Sequence, residues 1–158
     1  MHRPIPGEVQ TWIAENDPLH VVCLRDSLVE SLGFDARSVY VETYWLGVVG
    51  PSAMWALRRL TLWLEAEPDG FDLPLAPLAN ELGLGHGIGR HSPIVRTLAR
   101  LVAFDLARTS DAGLMVRQAL PPLSERHLRR LPSHLSEAHR TTSLTTRSLG
   151  TAVSEAQR

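Results

Sequence analysis

Lysine is missing from this chain; every one of its sixteen basic residues is arginine. With alanine and leucine abundant, this points to a GC-rich coding genome. Arginine therefore stands partly for any cation, and its presence alone does not argue for bidentate recognition. Cysteine is almost missing too. The single Cys23 excludes an internal disulfide and fits a reducing compartment, where a lone cysteine is a small core residue. No run of eighteen apolar residues occurs, and "MHRPIPGEVQ" has no apolar stretch after its early charge, so neither a membrane span nor a signal peptide is expected. The expected setting is cytoplasmic, with no membrane partner. Aromatic residues make up only 6%, and all four Trp and both Tyr lie before residue 64.

What is present is enough for a core: 158 residues, 44% of them hydrophobic, amount to about one domain. The net charge of -1 conceals an asymmetry. Residues 1–50 carry three Arg against seven acids, and residues 51–85 carry two against five. Residues 86–158 carry eleven against five, together with five of the seven histidines. A basic end of this kind suits a polyanion, although a solvated basic surface gives the same count.

Along the chain, "DPLHVVCLRDSLVESLGF" offers an Asp17-Pro18 helix start and a Gly33 stop, while "HVVCL" reads equally as a short strand. In "VYVETYWLGVV", Val41, Trp45 and Val48 fall at helical spacing behind a possible Ser38 cap, which predicts a helix. After Gly50-Pro51, "SAMWALRRLTLWLEAE" predicts a long helix, apolar in almost every direction except a polar arc of Arg58, Thr61 and Glu65, with Arg59 as an outlier, and so packed on two sides. "LAPLANELGL" predicts a short helix ended by Gly83.

The turn "GLGHGIGRH" then carries glycines at four alternate positions. The next helix has Ser92 as N-cap and Pro93 at its first position, with Ile94, Val95, Leu98, Leu101 and Val102 on one arc and Arg96, Thr97 and Arg100 on the other. Asp105 falls in the apolar arc, so either the helix ends near Ala103 or Asp105 pairs with an arginine. Phe104, on the arginine side, marks the same end and is expected to pack against the wing. "LARTSDAGLMVRQAL" predicts a hairpin of Leu106–Thr109 and Leu114–Gln118, and "LSERHLRRL" a basic helix capped by Ser124.

A long helix, a short helix ending in Leu-Gly, an arginine-faced helix and a hairpin follow the order of a winged helix-turn-helix. From Ser52 to about Gln118 the chain resembles regulators of the MarR and ArsR type, with "LANELGL" as the helix before the turn and "SPIVRTLARLVAFDLAR" as the recognition helix running into the wing. The flanking "YVETYWL" and "LPPLSERHLRRLP" resemble segments of small actinobacterial proteins. The expected fold is mainly α with a small β-hairpin wing: an aromatic and acidic N-terminal helical extension over 1–50, the winged domain over 51–120, a basic helical segment over 121–140 and a disordered tail over 141–158.

The resemblance implies a DNA-binding transcriptional regulator, dimerising through its aromatic N-terminal half. Arg96, Arg100 and Thr97 would enter the major groove, Arg90, His91 and Ser92 would hold the backbone at the helix entry, and Arg108 and Arg117 would reach phosphates from the wing. Arg126, Arg129 and Arg130 would extend the basic surface. One departure is the long glycine turn, where three or four residues are usual. The other reading is a winged helix used only for protein contact.

Enzymatic readings fit poorly. The glycines run G-x-G-x-G-x-G after a helix with no Lys following, which matches neither the dinucleotide nor the P-loop frame. His86 and His91, or His134 and His139, are five apart rather than four, and no G-x-S-x-G occurs. No cofactor, metal or catalytic residue is assigned from the sequence.

Overall fold

The structure, a computed structural model, describes residues 5–143. The expectation of a disordered tail over 141–158 falls mostly outside them; residues 141–143 are helical. Two compact units divide the chain, Met1–Pro122 and Leu123–Arg158.

The first unit contains α1 (Pro6–Glu15), β1 (Leu19–Cys23), α2 (Ser27–Leu32), β2 (Phe34–Asp35), a π-turn segment (Val41–Trp45) continued by α3 (Leu46–Val49), and α4 (Pro51–Ala66). These are followed by β3 (Phe71–Leu73), α5 (Leu75–Glu81), α6 (Pro93–Ala103), β4 (Ala107–Ser110), β5 (Gly113–Val116) and β6 (Ala119–Leu120). It is mainly α with a small mixed sheet, and no helix among the described residues is long and apolar enough to cross a membrane.

The expected hairpin is present as β4 and β5, antiparallel with Ala107 opposite Val116. The N-terminal fifty residues contain the expected helices, as α1, α2, the π-turn segment and α3, and a strand besides. "LHVVC" is a strand, and the sheet runs β3-β1-β5-β4, with β1 antiparallel to β3 and parallel to β5. A boundary at residue 50 is therefore corrected: β1 lies inside the sheet, its Leu19 and Val21 fully buried and its His20 exposed, the alternation of a strand with one covered face. Gly113 lets the hairpin tip approach β1. Its φ is +120°, and a Cβ there would lie 2.1 Å from the His20 carbonyl oxygen.

α4 is the central helix, burying Ala53, Met54, Ala56, Leu57, Leu60, Thr61 and Leu64. Thr61, expected on the polar arc, turns its hydroxyl back to the carbonyls of Leu57 and Arg58, both at 3.0 Å, and so is buried without an unmet donor. Beside α4 runs the π-turn segment, whose entry is capped by Ser38: its hydroxyl accepts the Val41 N–H at 3.3 Å. Trp45 is buried there and donates its indole N–H to the Pro121 carbonyl at 3.0 Å.

α5 ends in a Schellman motif. Gly83 takes φ +68° and donates to Asn80, while Leu84 donates to Ala79 at 2.8 Å. The turn beyond it is exposed from Gly85 to His91.

In the second unit, α7 (Glu125–Leu128) is capped by Ser124, whose hydroxyl accepts the His127 N–H at 3.4 Å. A second helix begins at residue 133 and continues to 143, and within the unit Arg140 pairs with Glu125 at 3.1 Å.

Candidate functional site

α6 was the expected reading helix, so its exposed surface decides the site. It buries Ile94, Val95, Thr97, Leu98, Ala99, Leu101 and Val102. Only Pro93, Arg96, Arg100 and Ala103 remain exposed, one narrow stripe at spacings of three and four. α1 packs against α6, and α4 and α5 also pack on it.

The stripe is the floor of a cleft of about 550 Å³. Its walls include Pro6 and Gln10 of α1, Gly50 to Ala53 at the start of α4, Leu84, and Phe104 at the end of α6. No carboxylate is among the lining residues. The helix therefore presents a recess where a groove-reading helix needs a protruding ridge.

Several expected roles change accordingly. Thr97 is only 7% exposed and lies in the lining of the cleft. Arg100 folds back onto the end of α3, donating to the Val49 carbonyl from Nε and to the Val48 carbonyl at 3.3 Å, with its guanidinium 5.3 Å from the centre of the Phe104 ring. It caps a helix C-terminus, a favourable place for a cation. Phe104 thus packs under Arg100 at the helix end. Ser92 stands at the N-cap position but its side chain makes no capping bond, and its buried hydroxyl oxygen has no hydrogen-bond partner.

Both hairpin arginines are committed internally. Arg117 is 4% exposed and is corrected from a wing contact to a buried clamp. It donates to the Asp105 carbonyl at 2.7 Å and pairs with Asp105 at 2.9 Å and Asp26 at 3.1 Å. Arg108 pairs with Asp105 at 2.8 Å.

Burial pushes the Asp105 carboxyl up, but the hydrogen bonds and charges of Arg108 and Arg117 outweigh this and hold it below the ordinary carboxylate value. Asp26 is lowered as well, first by the Val29 N–H it accepts in capping α2 and then by Arg117. The Asp105 anomaly in the sequence resolves both ways at once: α6 ends at Ala103, and Asp105 is ion-paired.

Arg90, His91 and Arg96 are exposed, and no carboxylate pairs with them among the described residues. Arg126, Arg129 and Arg130 are exposed in the second unit. No group of three or more His, Cys, Asp or Glu among the described residues could hold a metal ion.

A second surface, unassigned from the sequence at residue level, lies on the outer side of α4. Arg58 pairs with Glu42 at 3.2 Å, and Arg37 pairs with Glu65. These two ion pairs tie residues 37 and 42 to α4, and α3 packs on the same helix; Val39 and Leu46 flank Glu42 in the chain as Trp55 and Leu62 flank Arg58 on α4. All four apolar side chains are exposed: Val39 80%, Trp55 59%, Leu62 47% and Leu46 37%. The Arg58 guanidinium lies 5.4 Å from the centre of the Trp55 ring. A hollow of about 340 Å³ adjoins Trp55, lined by Pro51, Ser52, Arg59, Glu81 and Leu82. The signal was visible in the sequence as a helix apolar almost all round.

Comparison with known protein families, curated proteins and solved structures finds no match for this chain.

Proposed function

We propose that the protein is a non-catalytic interaction module that works as a homodimer, joined through the outer side of α4 and the π-turn segment beside it. The observation that carries this reading is the exposed stripe of Val39, Leu46, Trp55 and Leu62. Apolar side chains of this size gain about 1.5–3 kcal/mol each when fully buried, so two half-exposed sets brought together supply a useful driving force.

The exposed apolar residues are interleaved with Glu42 and Arg58, which pair with each other, so these two residues bring no net charge that would repel a second copy. The hollow beside Trp55 supplies the pocket into which an aromatic or leucine anchor of the second copy fits. The order of α4, α5, α6 and hairpin supports a winged-helix build for this module. Light scattering at rising concentration tests the reading, which predicts a mass moving from one chain to two; a constant single-chain mass contradicts it.

Duplex DNA binding is the second reading, favoured by the exposed turn that carries Arg90 and His91 next to Arg96. On this geometry the contacts go to phosphates, since Thr97, Arg100, Arg108 and Arg117 are committed elsewhere. Titration with a genomic duplex at several salt concentrations tests it: a steep salt dependence with little sequence preference supports it, and no binding at low salt removes it.

A further inference from the structure

The cleft over α6 is lined by two of the described arginines that the first unit leaves without an acid, Arg96 and Arg100. Of its described arginines, Arg25, Arg37, Arg58, Arg59, Arg108 and Arg117 each pair with a carboxylate. Arg90, Arg96 and Arg100 do not. Arg96 and Arg100 form the cleft floor. The Arg90 guanidinium lies beside Gly7 at the start of α1, 3.7 Å from where a Cβ of Gly7 would stand, and so next to Pro6 in the cleft wall. Glu8, the acid beside Gly7, makes no ion pair among the described residues and does not line the cleft.

Two guanidinium groups without a carboxylate partner, Arg96 and Arg100, in a recess of about 550 Å³ with no carboxylate in its lining, mark a place for an anion. Arg100 is already held in position by the Val48 and Val49 carbonyls and keeps N–H donors to spare. The walls add to this. α1, α4 and α6 all begin at the cleft with a proline, and none has a side-chain cap, so their first turns keep free N–H groups. By contrast, α2 and α7 are capped by Asp26 and Ser124.

We infer that this cleft binds a phosphate monoester of small-molecule size, its phosphate held by Arg96 and Arg100 with Arg90 at the rim, and its organic part against Phe104, Leu84 and Ala53. The volume suits a small ligand, and the mixed polar and apolar lining suits a molecule with a charged head and a hydrophobic body. The inference rests on different side chains from the proposed dimer face, although Pro51 and Ser52 line both the cleft and the hollow beside Trp55.

The test is a nuclear magnetic resonance titration of the full chain with inorganic phosphate, and separately with phenyl phosphate, at constant ionic strength. Saturable shifts are expected at the Ser52 and Ala53 amides and at the Arg96 and Arg100 Nε–H groups, with a dissociation constant on the order of 1 mM for inorganic phosphate and tighter binding for phenyl phosphate. Arg96→Ala, which breaks no side-chain bond among the described residues, should weaken binding about tenfold. Arg25→Ala, removing an exposed paired arginine away from the cleft, should leave it unchanged. Shifts that do not saturate, equal affinity in Arg96→Ala, or perturbation of the cleft by a short duplex but by neither phosphate would each overturn the inference.

Discussion

Arg117 holds Asp105 at two points: its Nε donates to the Asp105 carbonyl at 2.7 Å, and its Nη2 lies 2.9 Å from Oδ2 of the same residue. Asp105 has φ +57°, a left-handed conformation that costs a non-glycine residue about 1–2 kcal/mol. The double hold, with Arg117 buried, fixes the chain at the turn from α6 into the hairpin. Arg117→Met should therefore destabilise the first unit by about 2–3 kcal/mol, because it removes the donor to a main-chain carbonyl and leaves two carboxylates without their shared partner. Chemical denaturation measures this; a loss within the range of a surface arginine would contradict the clamp.

The same contacts set an acid dependence. Asp26 and Asp105 both titrate below the ordinary 3.8 in the folded chain. Their contribution is complete above pH 3.8 and is lost as pH falls from there through the folded values, since the unfolded chain then binds more protons. The denaturation midpoint should fall in that window, and Arg117→Met should flatten the slope. A variant with the wild-type slope would show that the arginine does not hold these carboxylates.

Arg100 and Arg96 lie one turn apart on the same stripe, yet substitution should separate them. Arg100→Met removes the donors to Val48 and Val49 and should cost about 2 kcal/mol. Arg96→Met should cost nothing measurable, because its side chain makes no bond among the described residues. Equal effects would mean that Arg100 does not cap α3.

Gly113 and Gly85 both have positive φ, at 120° and 79°, but only Gly113 meets a neighbour. Gly113→Ala should destabilise by at least about 2 kcal/mol by pushing the hairpin tip off β1. Gly85→Ala, in open space, should cost about 1 kcal/mol from backbone strain alone. Thermal unfolding of the two variants checks the order.

Helices α4, α5 and α6 were legible because each joins a 3.6-residue apolar period to a local stop or start: Pro51, Gly83, and Ser92-Pro93. The hairpin was legible from its Ser-Asp-Ala-Gly turn. "LHVVC" was not, because a five-residue apolar run has no period long enough to choose between helix and strand, and the choice was made by β3 and β5, which lie far along the chain. The surroundings of the arginine side of α6 were hidden for a related reason. A wheel separates polar from apolar directions, but it cannot see that Pro6 and Gln10 of α1 wall a cleft beside that side, or that the carbonyls of Val48 and Val49 accept from Arg100. Asp105 was the one residue whose misfit with its own helix announced a tertiary partner.

The most direct test of the account is sedimentation of the wild type, Leu62→Glu and Leu28→Glu across a wide range of concentration. Leu62 lies on the proposed contact face, and Leu28, 66% exposed on α2, serves as a control leucine outside it. The account predicts a wild-type dimer, a Leu62→Glu monomer and a Leu28→Glu dimer. A wild type that stays monomeric, or two variants that behave alike, would contradict it.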